Sequence, residues 1–82
     1  MHARHQLVLL SSLRAGQKAR VCRILGQPEH VHRLEEFGLR RDAVIEVFRS
    51  GNPCIVRLGG GKICLRVDNS LNVLVEPTAA SA

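Results

Sequence analysis

An 82-residue chain has room for one domain, and a domain of that size buries only ~60% of the surface its unfolded chain exposes, so it holds one modest core and no deep catalytic cleft. Hydrophobic residues make up 45% of the chain but aromatics only 2%, so the interior must be aliphatic and packed by shape. The net charge of +5 favours an acidic partner, yet the cations are dispersed, with Arg40-Arg41 the one adjacent pair, and the lack of a basic stripe with interleaved aromatics disfavours nucleic-acid binding.

Residues 1–10 read as an N-terminal extension. Met1 to Gln6 is polar and carries His2 and His5. The run Leu7-Val8-Leu9-Leu10 is too short to span a bilayer and lacks the small-residue cleavage site of an export signal, so no direct membrane insertion is expected and the cytoplasm is the expected location. Ser11-Ser12-Leu13-Arg14-Ala15-Gly16 predicts a short turn in which a serine oxygen caps free N–H groups, Leu13 anchors to the core and Gly16 takes the left-handed conformation. From Gln17 to Leu25 the residues favour a strand, but Val21 and Ile24 are three apart; this break in alternation predicts a bulge.

Gly26 and Pro28 punctuate the chain, and Pro28 with Glu29 suits the first turn of a helix predicted over 28–37. Val31, Leu34 and Phe37 form its packing face, while Glu29, His32, Arg33 and Glu36 form its wet face. Gly38 is placed to stop the helix and Leu39 to fold back as a hydrophobic contact. Four strands are predicted beyond Arg40-Arg41-Asp42, over 44–49, 54–58, 62–67 and 71–75. Ser50-Gly51-Asn52-Pro53, Gly59-Gly60-Gly61 and Asp68-Asn69-Ser70 turn the chain between them. Ile63, Leu65 and Val67 alternate with Lys62, Cys64 and Arg66, as one buried face requires. The expected fold is mainly β, a small closed barrel of about five strands with one short helix inserted after the first strand; residues 11–76 form the domain and 77–82 a frayed tail.

Several motifs, in this order, resemble the FeoA family over Leu13 to about Glu76. Leu13, Gly16 and Val21, then Ile24 and Gly26, resemble the family's L-x-x-G-x-x-x-x-V opening. Arg33-Leu34-Glu35-Glu36-Phe37-Gly38-Leu39 resembles its R-L-x-E-x-G-L segment, and Val44-Ile45-Glu46-Val47 follows. Pro53-Cys54-Ile55-Val56 and Gly61-Lys62-Ile63-Cys64-Leu65-Arg66 resemble its later strand and hairpin return. The resemblance implies an SH3-like barrel and a small cytoplasmic, non-enzymatic protein of bacterial ferrous-iron uptake. The implied partner is the cytoplasmic region of FeoB, a membrane permease with a GTP-binding domain. Because the same domain ends some metal-dependent repressors, a DNA-associated regulatory module is the alternative, as is an iron- or zinc-binding protein. Cys54 and Cys64 depart from the small or aliphatic residues expected at their positions.

No catalytic, cofactor or metal site emerges from the residues. Cys22, Cys54 and Cys64 are an odd number without C-x-x-C spacing and read as small hydrophobes in a reducing compartment, with Cys64 the one pointing outward. His32 and Glu36 share a helix face at i,i+4, but two ligands alone rarely hold a metal; His30 reads as a partly buried spacer. The triple glycine lacks the Lys-Ser/Thr and the helix of a phosphate-binding loop. Leu39, Arg40 and Arg41 combine an apolar side chain with two guanidinium forks and are the candidate partner contact. Uncovered strand edges leave pairing into a homo-oligomer open.

Overall fold

Alternation of small and branched aliphatic side chains puts one face of each strand into a shared interior. The chain is described by a computed structural model that covers residues 6–68 and 70–78. The elements, in order, are β1 (Val8–Leu9), a 3-10 turn (Leu10–Ser12), β2 (Lys18–Gly26), α1 (Pro28–Glu36), β3 (Val44–Arg49), β4 (Cys54–Leu58), β5 (Gly61–Leu65) and β6 (Leu71–Pro77). All the pairings are antiparallel, in the order β1-β6-β2-β3-β4-β5. The architecture is the expected mainly β, SH3-like one, with six strands in place of about five. Its hydrogen-bonded circuit stays open, because β1 and β5 are the outermost strands and do not pair with each other.

β2 organises the sheet. Its first residues pair with β3 on one side and with β6 on the other, and from Arg23 to Gly26 only β6 remains alongside. The register shifts between Val21 and Arg23, which is the bulge that the Val21–Ile24 spacing predicts. Val21 faces Val75 before the shift and Ile24 faces Val73 after it, so both stay on the inner side. The core gathers Leu10, Leu13, Ala19, Val21, Leu39, Ile45, Val47, Cys54, Val56, Leu65, Val73 and Val75. No polar or charged side chain is buried among the described residues.

The sheet reaches further into both termini than the sequence reading gave. Val8 and Leu9, assigned to an extension, pair with Val75 and Leu74, and Leu10 is completely buried. At the other end Pro77 closes β6, and the Thr78 N–H donates to the Lys18 carbonyl at 3.0 Å. A pairing of two residues with a strand more than sixty positions away leaves no local pattern to read. The polar stretch with His2 and His5, Asn69 and the tail beyond Thr78 lie outside the described residues.

The serine turn forms with the opposite hydrogen-bond sense: the Ser12 hydroxyl donates to the Leu9 carbonyl at 2.7 Å, and no side chain caps the N-terminus of the turn. Gly16 is left-handed, at φ 95°, as expected.

Candidate functional site

Helix α1 ends in a Schellman motif, and that turn decides which apolar side chain enters the core. The Leu39 N–H donates to the Leu34 carbonyl and the Gly38 N–H to the Glu35 carbonyl, each at 3.0 Å, with Gly38 at φ 102°. Leu39 is thereby folded back and is 0% exposed, with Leu34 packed against the same core. This corrects the candidate contact set: Leu39 is a core residue and is not available to a partner. Phe37, assigned to the packing face, is 66% exposed instead. The chain reverses immediately after it, and α1 has only Val31 and Leu34 half-buried, so the core is complete without the ring.

Arg40 and Arg41 are exposed on a turn stitched to β2. The Asp42 N–H donates to the Val21 carbonyl at 2.7 Å, the Val21 N–H to the Ala43 carbonyl at 2.8 Å and the Ala43 N–H to the Arg40 carbonyl at 3.0 Å. The two guanidinium groups therefore stand on a fixed platform. Arg41 also lines a shallow depression with Cys22, Ile24, Val31 and Glu35. A larger cleft, of about 460 Å³, opens between the end of α1 and the β4–β5 hairpin; Phe37, Val44, Leu58 and Ile63 form its apolar wall and Lys62 stands at it.

The outer face of β3, β4 and β5 carries a cluster that the sequence reading missed. Glu46, Arg57 and Lys62 lie in one cross-strand row. Phe48 lies beside them, with the Lys62 ammonium 3.8 Å from its ring centroid and the Arg57 guanidinium 5.8 Å away. Arg49, at the end of β3, and Arg66, just past β5, are also exposed and add to the basic character of these strands. The available signal was the hairpin register, which places Arg57 and Lys62 opposite each other; taken along the chain, the same charges look dispersed.

The metal-ligand candidates are not brought together. His32 Nε2 lies 3.4 Å from Glu36 Oε2, both largely exposed, and His30 is exposed where a partly buried position was expected. Among the described residues no three His, Cys, Asp or Glu side chains gather as a metal site. Cys54 is buried and Cys64 exposed, on opposite faces of neighbouring strands, and the Cys22 thiol donates to the Arg20 carbonyl at 3.7 Å. Burial, helped by Cys64 nearby, pushes the Cys54 thiol above its ordinary value, so it is a poor nucleophile or ligand. Gly59 and Gly60 form a two-residue hairpin turn with Gly59 at φ 59°, and a strand follows it rather than a helix.

An aliphatic core, a Gly38–Leu39 helix stop and exposed cations on the outer strands characterise the chain, and comparison with known proteins gives the family. The model of the FeoA domain matches residues 8–77. The chain belongs to the FeoA family. The match takes in every strand from β1 to β6, including the Val8–Leu9 pairing at its start. A crystal structure of an iron uptake regulatory protein (FeoA) is 28% identical, superposes with a TM-score of 0.73, and covers 89% of this chain and 100% of its own. No protein with a curated description matches the chain. Among the described residues of this FeoA-family chain, no helix is long and apolar enough to cross a membrane.

Proposed function

We propose that this chain is a non-enzymatic accessory protein of ferrous-iron uptake, acting by binding the cytoplasmic region of a FeoB-type permease that carries a GTP-binding domain. The observation that carries the reading is the FeoA-domain match over residues 8–77, the whole of the folded sheet. The iron uptake regulatory protein of known structure, which this chain covers from end to end, supports the same pathway. Binding without catalysis agrees with an interior of aliphatic side chains and with the exposed cations and apolar groups outside it.

The test is a pull-down followed by calorimetry with the purified GTP-binding domain of the permease, with and without guanine nucleotide, together with ferrous-iron uptake in cells lacking the chain. Saturable binding and altered uptake are expected. No binding in either nucleotide state, with uptake unchanged, overturns the proposal.

A further inference from the structure

β5 is the last strand of the sheet order, with one edge turned away from β4. Among the described residues, β5 has β4 as its only strand neighbour. Gly61, Ile63 and Leu65 face Leu58, Val56 and Cys54 in register, and the two-residue turn makes Leu58 and Gly61 a hydrogen-bonded pair. Alternation then directs the main-chain groups of Gly61, Ile63 and Leu65 at β4 and those of Lys62 and Cys64 outward. The next residue of the inward-directed set, Val67, agrees: its N–H donates to Asn52 Oδ1 at 3.2 Å and its carbonyl accepts from Asn52 Nδ2 at 3.1 Å. Asn52 thus completes the inner side, and among the described residues no strand pairs with the outer side.

Side chains along this edge select what can fill it. Lys62 and Arg66, both exposed, flank exposed Cys64, with Arg57 and Arg49 on the strands behind. A second copy is a poor occupant: antiparallel pairing about Cys64 sets Lys62 of one copy opposite Arg66 of the other, cation against cation. β1, only two residues long, is a poor edge to pair with. Nucleic acid matches the charge but not the row of strand-spaced donors and acceptors, and the nearby aromatic, Phe48, already has the Lys62 ammonium over its ring.

We infer that the β5 edge of this chain binds an extended acidic segment of a partner protein as a seventh strand, with two carboxylates four residues apart meeting Lys62 and Arg66. Four strand residues span about 13 Å. The residue between the carboxylates faces Cys64 and is small or apolar. One of its neighbours stands opposite Ile63, at the wall of the apolar cleft, and the other opposite Leu65, and both are apolar or short. Main-chain bonds supply the affinity and the carboxylates the register. This inference deepens the reading of a permease partner by naming the surface and the chemistry of the segment that it takes.

The test uses the full chain, labelled with nitrogen-15, and a blocked ten-residue peptide with the core Glu-Thr-Val-Thr-Glu. Addition of the peptide is expected to shift and protect the Lys62 and Cys64 amides and to slow alkylation of Cys64. A peptide N-methylated at its central residues, or with Lys for Glu, should not bind. Lys62→Glu with Arg66→Glu, both surface changes, weakens binding by about tenfold or more. Absence of binding at millimolar peptide, equal binding of the N-methylated peptide, shifts centred on the Arg40–Arg41 turn, or equal protection by an oligonucleotide each overturn the inference. The permease domain separates the two claims. If it binds the native chain and the double variant equally, the surface is wrong while the partner stands; if it binds neither, but the peptide protects the edge, the surface stands and the partner falls.

Discussion

Replacing Leu39 by Ala, beside Phe37 by Ala, tests the helix-stop geometry that redraws the contact surface. Leu39 is 0% exposed and sits in the common core, so its truncation leaves a cavity among Leu34 and the sheet residues. Such Leu→Ala changes cost ~2.7–5.0 kcal/mol, the transfer loss plus the cavity. A domain of this length has a total stability of about 4–12 kcal/mol at the usual value per residue, so the variant loses a large share of it. Phe37 is 66% exposed and gives up only the buried third of its surface. Fully burying a Phe is worth about 1.5–3 kcal/mol, so Phe37→Ala should cost roughly 0.5–1 kcal/mol. Urea unfolding followed by circular dichroism measures both. At a slope of about 1 to 1.5 kcal/mol/M, Leu39→Ala lowers the midpoint by roughly 2–5 M and Phe37→Ala by at most about 1 M. Equal costs for the two variants, or a loss below about 1 kcal/mol for Leu39→Ala, would refute the assignment of Leu39 to the core and Phe37 to the surface.

Gly38→Ala is expected to cost about 1–2 kcal/mol in thermal unfolding through backbone strain at positive φ. The added Cβ meets Leu58 Cδ1 only at an ordinary 3.5 Å, so enlarging or trimming Leu58 should not rescue it. Asn52→Ala removes both bonds to the Val67 main chain and should lower stability by about 1–3 kcal/mol, with faster amide exchange at Val67. Asp68 accepts from the Ser70 N–H and hydroxyl, each at 2.7 Å, and these bonds hold its carboxyl below the ordinary 3.8. Because the folded value is depressed, the stabilisation is present above the ordinary carboxylate value and is lost as pH falls through the folded one. Asp68→Ala should therefore lower the melting temperature at neutral pH and flatten its decline in acid; a parallel decline in both proteins counts against this role.

Local chemistry made much of the fold legible. Val44–Arg49 and Cys54–Leu58 are strands over the range that their composition and turn residues set, and the three-residue Val21–Ile24 spacing marks a real bulge. Gly16 and Gly38 take the positive φ that their neighbours required, and Cys64 points outward as alternation demanded. The R-L-x-E-x-G-L segment also pointed to the family, since a helix stop of that form is local in sequence.

The candidate site was less legible, because surface is not a local property. Phe37 and Leu39 look equally apolar in the sequence, and only the reversal at Gly38 sends one to solvent and the other inside. Charges that look dispersed along the chain become a basic cluster once β3, β4 and β5 set Arg57, Lys62 and Phe48 side by side. Periodicity, turns and caps act over a few residues, so the sequence by itself determined the elements, the bulge and the inward faces. Which edge stays open, how Val8 and Leu9 join β6, and which cations gather depend on pairings between distant segments, and only the tertiary structure decided them.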